Sequence, residues 1–211
     1  MVLPFLLASG FFWTVTYILI IRRGYLDKSY GMPLAALAAN ISWEFIFAFV
    51  LPHAFPQRGV NMIWFALDFV ILLTVLRNGP REFPDWSRRI FNSACIVALV
   101  TAASLVYLVS VEFRDMEGAY AAFGQNLMMS VLFIDMLRQR KSVRGQSVSI
   151  ALAKLLGTLV VSIGFYFFVP SLSQSVLFPF LYVAVFGFDA IYVVMVYRQS
   201  IREGINPWRR V

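Results

Sequence analysis

The sequence has a single cysteine, a single histidine and only 14% charged residues in 211. One cysteine, Cys95, excludes an intramolecular disulfide framework. With one histidine and no metal-ligand spacing anywhere, the residues give no reason to expect a metal, and no cofactor motif is present. Long polar stretches are also missing. The longest connections run to about a dozen residues, too short to fold into a domain of their own, so residues 1–211 are read as one integral-membrane unit. Any ligand site then lies inside a helix bundle or at its rim.

What is present is apolar length. Hydrophobic residues make up 60% of the chain, well beyond ordinary soluble domains. A bilayer core about 30 Å thick takes about 20 apolar residues per helix. On that scale the sequence predicts an all-α bundle of seven transmembrane helices, at roughly 2–21, 32–51, 60–77, 90–111, 118–137, 147–169 and 176–197. The first is read as a retained helix, since no basic stretch precedes it and no small-residue cleavage site separates it from Arg22 and Arg23. Continuous apolar runs, without barrel-like alternation, exclude membrane strands.

Orientation follows from the basic residues. Fifteen of the 18 Lys and Arg fall in alternate connections and the tail: 22–31, 77–89, 138–146 and 198–210. Basic loops stay cytoplasmic, which places the N-terminus outside and the C-terminus inside. The net charge of +7 therefore forms a ring that attracts anionic lipid headgroups, and no nucleic-acid partner is expected. His53, beside Pro52 at an outer helix end, reads as a solvated loop residue.

Ionisable groups within spans are expensive and mark candidate function. Asp135 lies near the inner end beside Arg138 and reads as an interfacial ion pair. Lys154 lies about two turns from the inner face, deep enough either to snorkel or to act. Asp189, at nearly the same depth on the seventh span, is a natural partner for it. Glu44 stands near the middle of the second span, with Asn40 one turn away on the same face and Trp43 adjacent. Desolvation disfavours a charged carboxylate there. Glu44 is thus either a proton donor oriented by the amide or a neutral group that hydrogen-bonds between helices.

Further candidates for the lining of a site are Trp64 and Asp68 on the third span, Gln125 and Asn126 on the fifth, and the stripe Tyr182, Phe186 and Tyr192 around Asp189. A dry pocket with a protonated carboxyl and many ring faces suits carbocation chemistry, because aromatic faces each stabilise a cation by about 0.5–2 kcal/mol. Aspartate-rich motifs for ionising a diphosphate are lacking, so initiation by protonation is the consistent version.

The stretch Arg23–Phe49 (RGYLDKSYGMPLAALAANISWEFIFAF), with its N-x-x-W-E segment, resembles the small integral-membrane terpene cyclases of meroterpenoid and indole-terpene pathways, the paspaline-type and pyripyropene-type cyclases. The basic first inner loop, the acidic residue of the seventh span and the Asn206-Pro207-Trp208 tail extend the likeness. The resemblance implies catalytic acids at Glu44 and Asp189. They would protonate a terminal epoxide or alkene of a prenylated aromatic, and polyene cyclisation would follow, needing no cofactor. A chain shorter than fungal members suggests a bacterial plasma-membrane enzyme acting on farnesylated indoles. The competing reading is a small proton-coupled transporter, though the two helix triplets show no internal similarity and no half-helix breaks. A retinal photoreceptor is excluded by the absence of lysine from the last span.

Overall fold

A computed structural model describes residues 2–211. The described residues form helices and no strands: α1 (Leu3–Leu26), α2 (Leu34–Phe45), α3 (Gln57–Asn78), α4 (Arg88–Glu112), α5 (Ala119–Arg140), α6 (Val148–Phe168), the single turn α7 (Pro170–Ser173) and α8 (Leu177–Arg202). Six helices are long and apolar enough to cross a membrane, α3 continuing through a 3₁₀ turn to Arg81. The α2 helix runs on as a π-helical segment, Ile46–Val50. Together they make a shorter apolar helix, Leu34–Val50, at the low end of the length that spans a bilayer.

The helix boundaries follow the local chemistry. Pro33 caps the start of α2, and Ser87 and Ser147 cap α4 and α6 by accepting from the backbone N–H of Ile90 and Ile150. Helices α1, α5 and α8 outrun their expected apolar spans by three to five residues, ending at Leu26, Arg140 and Arg202. Their last turns carry Arg23, Arg138 and Arg140, and Arg202, and cations there complement the helix dipole. The apolar count finds the hydrocarbon; the helix continues past it.

Those basic ends meet. Arg210 of the tail binds Asp27 Oδ2 at 2.5 Å, and Asp27 also pairs with Arg23. Arg140 donates to Glu82 Oε2 at 2.8 Å and to the Tyr30 carbonyl at 2.9 Å. The connections after α1, α3, α5 and α8 therefore share one end of the bundle. The connections after α2, α4 and α6 meet at the other end, where Trp43 Nε1 donates to the Gly118 carbonyl at 2.9 Å. The α2 helix thus carries the chain from one end to the other.

Packing is built around α1 on α6, α2 against α3, α4 and α5, and α8 between α5 and α6. Gly157 lets the first pair approach closely. A Cβ there would sit 2.9 Å from Trp13 Cδ1, and small residues at helix contacts are how membrane bundles gain van der Waals contact. The α4 helix is the outlier, burying only Phe91, Cys95, Val106 and Ser110 along 25 residues; its remaining apolar surface suits lipid.

Candidate active site

A cavity of about 440 Å³ opens between the loops opposite the basic end and runs into the bundle, within the range of small-molecule sites, roughly 300–1,000 Å³. Its walls carry Trp13 and Tyr17 from α1, Trp43 from α2, Trp64 from α3, Phe123 from α5 and Phe165 from α6. Two indole N–H groups are tied off within the wall. Trp64 Nε1 donates to Thr14 Oγ1 at 3.0 Å, and Trp43 Nε1 to Gly118. Their polar edges are satisfied by protein, which leaves ring surface for the cavity. Gly118 has φ +63°, and a Cβ there would lie 2.2 Å from the Phe47 ring and 2.7 Å from Trp43 Nε1. Only glycine fits that turn beneath the tryptophan.

Glu44 lines the same cavity and is 1% exposed. Its Oε1 accepts from the Tyr17 hydroxyl at 2.8 Å and from Asn40 Nδ2 at 3.0 Å, while Oε2 has no hydrogen-bond partner. The Asn40 Nδ2 also lies 2.6 Å from the Tyr17 oxygen and 2.8 Å from Asp68 Oδ2. Gln125 Nε2 reaches Asn40 Oδ1 at 3.4 Å. Helices α1, α2, α3 and α5 thus bring five polar side chains to one point. Neither Glu44 nor Asp68 forms an ion pair among the described residues.

A second network lies beside it. Lys154 Nζ donates to Asp189 Oδ1 at 2.7 Å, to Ser130 Oγ at 2.7 Å and to Asn126 Oδ1 at 3.1 Å. All three ammonium protons are used. Both ends of the ion pair are buried, so Lys154 does not snorkel: its head finds a carboxylate and two further oxygens inside the bundle. Asn126, held by Lys154 and by a 2.7 Å bond to Thr158 Oγ1, lines the cavity; Asp189 does not.

The expected residues therefore separate into groups. Glu44, Asn40, Trp43, Trp64, Gln125 and Asn126 share one cavity. Asp68 stands behind that wall, fully buried, and reaches it through Asn40. Asp189 faces Lys154 rather than Glu44. The remaining stripe residues point elsewhere. Tyr182 packs on Phe123 at 4.9 Å and, with Phe186, lines an outer groove between α6 and α8. Phe186 is 45% exposed there. Tyr192 donates to Gln146 Oε1 at 2.8 Å, towards the basic end. Offsets of three place Phe186 and Tyr192 about 60° to either side of Asp189 on an α-helix, whereas Tyr182, seven residues away, is nearly in line but two turns along the axis.

Two smaller expectations are corrected. Asp135 accepts from Gln139 at 2.5 Å and makes no ion pair with Arg138 among the described residues. His53 is not solvated; it is 8% exposed and lines the mouth of the cavity. Its ring stacks on Phe47 at 4.7 Å, and Asn61 Nδ2 lies 3.0 Å from Nδ1. Burial pushes the imidazole below its ordinary range, opposed by the Glu117 carboxylate. The sequence reading missed Tyr17, Trp13 and His53.

A family model described as Pyr4-like transmembrane terpene cyclases matches residues 2–202. The chain belongs to this family. Among its relatives are the Pyr4-family terpene cyclase mfmH of Annulohypoxylon moriforme, 32% identical over 76% of this chain and 68% of the relative. Terpene cyclase pyr4 of Aspergillus fumigatus is 28% identical over 74% of this chain and 66% of its own length. Terpene cyclase ascF of Acremonium egyptiacum is 34% identical over 72% and 62%. The chain spans about two thirds of the length of these relatives. All three are fungal, so they lend nothing to the expectation of a bacterial plasma membrane. No solved structure matches the chain. Membership in the Pyr4-like family sets aside the transporter reading, and with six apolar helices it makes the protein a multi-pass membrane protein.

Proposed function

We propose that this member of the Pyr4-like family protonates the terminal epoxide or alkene of a prenylated aromatic, with a farnesylated indole as the substrate class, and drives its cyclisation. The observation that carries the reading is Glu44, a buried carboxyl with no cationic partner among the described residues, at the wall of a cavity with aromatic rings. An ionised carboxylate without a partner is strongly disfavoured in such a site, so the resting group carries its proton.

The chemistry balances within the substrate. The Glu44 O–H bond breaks, and its proton bonds to the epoxide oxygen, opening a C–O bond, or to an alkene carbon. The positive carbon is attacked by the next double bond, and successive rings form. The last cation loses a proton to water at the cavity mouth and the Glu44 carboxylate takes one back from water, so the acid is regenerated and the product is an isomer of the substrate. During this the Glu44 carboxylate keeps the Tyr17 hydroxyl and Asn40 amide as donors, and hydrogen bonds to the charged form stabilise it. The rings of Trp13, Trp43, Trp64 and Phe123 face the developing cation. Among the described residues no Lys or Arg lines the cavity, and the nearby Lys154 ammonium is paired with Asp189.

Asn40, Gln125 and Asn126 are proposed to orient the substrate. Asp189 contributes through Lys154, whose ammonium fixes Asn126 on the wall. The arrangement in the membrane is proposed as seven crossings, with Leu34–Val50 as the second and the N-terminus outside. Its support is that α2 joins opposite ends of the bundle and that the basic connections share one end.

The test incubates membranes containing the protein with farnesylated indole and with its terminal epoxide, and looks for a product of unchanged mass. Glu44→Gln keeps the shape but removes the acid. It is expected to lower turnover by about 10²–10⁴-fold, the usual contribution of general acid catalysis, with normal insertion. Near-wild-type product formation by E44Q would remove Glu44 from the mechanism.

A further inference from the structure

A second buried carboxyl stands behind Glu44. Asp68, on α3, is fully buried and absent from the cavity wall. Its Oδ2 accepts from Asn40 at 2.8 Å, and its Oδ1 has no hydrogen-bond partner. Glu44 has the matching deficiency at Oε2, and the two carboxyls meet at Asn40 Nδ2, which lies 3.0 Å from Glu44 Oε1 and 2.8 Å from Asp68 Oδ2. The amide between them cannot supply a hydrogen to every oxygen it touches. Asn40 Nδ2 has two hydrogens but lies within 3.0 Å of three oxygens: the Tyr17 hydroxyl, Glu44 Oε1 and Asp68 Oδ2. The network is short of protons unless the carboxyls supply them, and among the described residues neither carboxyl has a cation that would let it ionise.

We infer that Asp68 is a positioning residue for the acid: it remains uncharged, and its own O–H becomes a hydrogen-bond donor to Glu44 once Glu44 has given its proton to the substrate. The inference rests on the reading of Glu44 as proton donor. No proton leaves Asp68. Before transfer there are two O–H groups and no charge. Afterwards there is one carboxylate, held by the Asp68 O–H, the Tyr17 O–H and an Asn40 N–H. Hydrogen bonds to an ionised oxygen are about twice as strong as neutral ones, so Asp68 favours the state after transfer over the state before it. That difference raises turnover without tightening substrate binding.

The experiment compares two substitutions at one position. Asp68→Asn keeps an N–H donor in the same shape; Asp68→Leu keeps the bulk and removes the donor. D68L is expected to lower kcat by about tenfold or more at unchanged KM, the scale of one hydrogen bond to a charged group. D68N is expected to stay within about threefold of wild type, since an amide donor can replace the acid's. Wild-type kcat in D68L overturns the inference. So does an equal loss in D68N and D68L at wild-type melting temperature, because an ionised carboxylate would then be required. If D68L does not accumulate in membranes, D68N decides alone: a tenfold loss in folded protein overturns the assignment, and retained turnover supports it. E44Q measured alongside separates the two readings. An active E44Q would bring down the acid itself, whereas an inactive E44Q with a fully active D68L would bring down only the role of Asp68.

Discussion

Glu44 owes its chemistry to its neighbours as much as to its depth. Tyr17 and Asn40 both donate to one carboxyl oxygen, at 2.8 and 3.0 Å, and leave the other oxygen free of protein donors. The Tyr17 hydroxyl therefore acts after proton transfer, when the oxygen it touches is charged. A hydrogen bond to a charged group contributes about 1.5–3 kcal/mol. Tyr17→Phe is accordingly expected to reduce kcat by about tenfold, with little change in melting temperature or KM. Steady-state turnover of the epoxide substrate measures this, and an unchanged kcat would detach Tyr17 from the acid. The sequence could mark Glu44, because a carboxyl in mid-span is rare. It could not mark Tyr17, one of nine tyrosines in a chain with 21 phenylalanines, on a helix that is apolar on every face. Nor could it mark His53, whose burial depends on the Phe47 ring and on Asn61, eight residues away in sequence.

At the scale of elements, α6 and α8 are joined by a buried ion pair whose contribution is conditional. Removing one partner leaves an uncompensated charge and costs about 3–5 kcal/mol, whereas replacing both with apolar residues is often neutral or stabilising. Lys154→Met and Asp189→Leu are therefore each expected to lower the melting temperature sharply in detergent. The double variant is expected to recover most of that loss, together with part of the turnover. A double variant that folds like wild type but makes no product would give Asp189 a chemical role beyond its lysine. The pairing was visible in the sequence as two ionisable groups at one depth. The stripe around Asp189 was not resolvable in the same way. Periodicity gives the face of a helix, but α8 touches α5 and α6 and also exposes residues outward, so neighbours on one face meet different surroundings. The apolar runs located every helix but the single turn α7, because hydrophobic length is a property of each segment alone. They stopped short at the basic ends of α1, α5 and α8, where arginines continue the helix outside the hydrocarbon.

Across the whole molecule the two ends differ in kind. One is clasped by Arg210, Asp27, Arg140 and Glu82; the other holds the cavity mouth. With the N-terminus outside, single cysteines at Glu117 and Ser171 are expected to react with an impermeant thiol reagent in intact cells, and cysteines at Lys28 and Arg144 only after lysis. The reverse pattern would invert the proposed topology. Cys95 is buried and leaves the background low. The cavity wall is uneven: aromatic rings and aliphatic side chains share it with the amides of Gln125 and Asn126. A solvent molecule held in the cavity beside these amides would be captured by a passing cation as an alcohol, in place of the loss of hydrogen that forms an olefin. The ratio of hydrated to unsaturated products thus becomes a chemical record of how completely each substrate fills the space beside that glutamine.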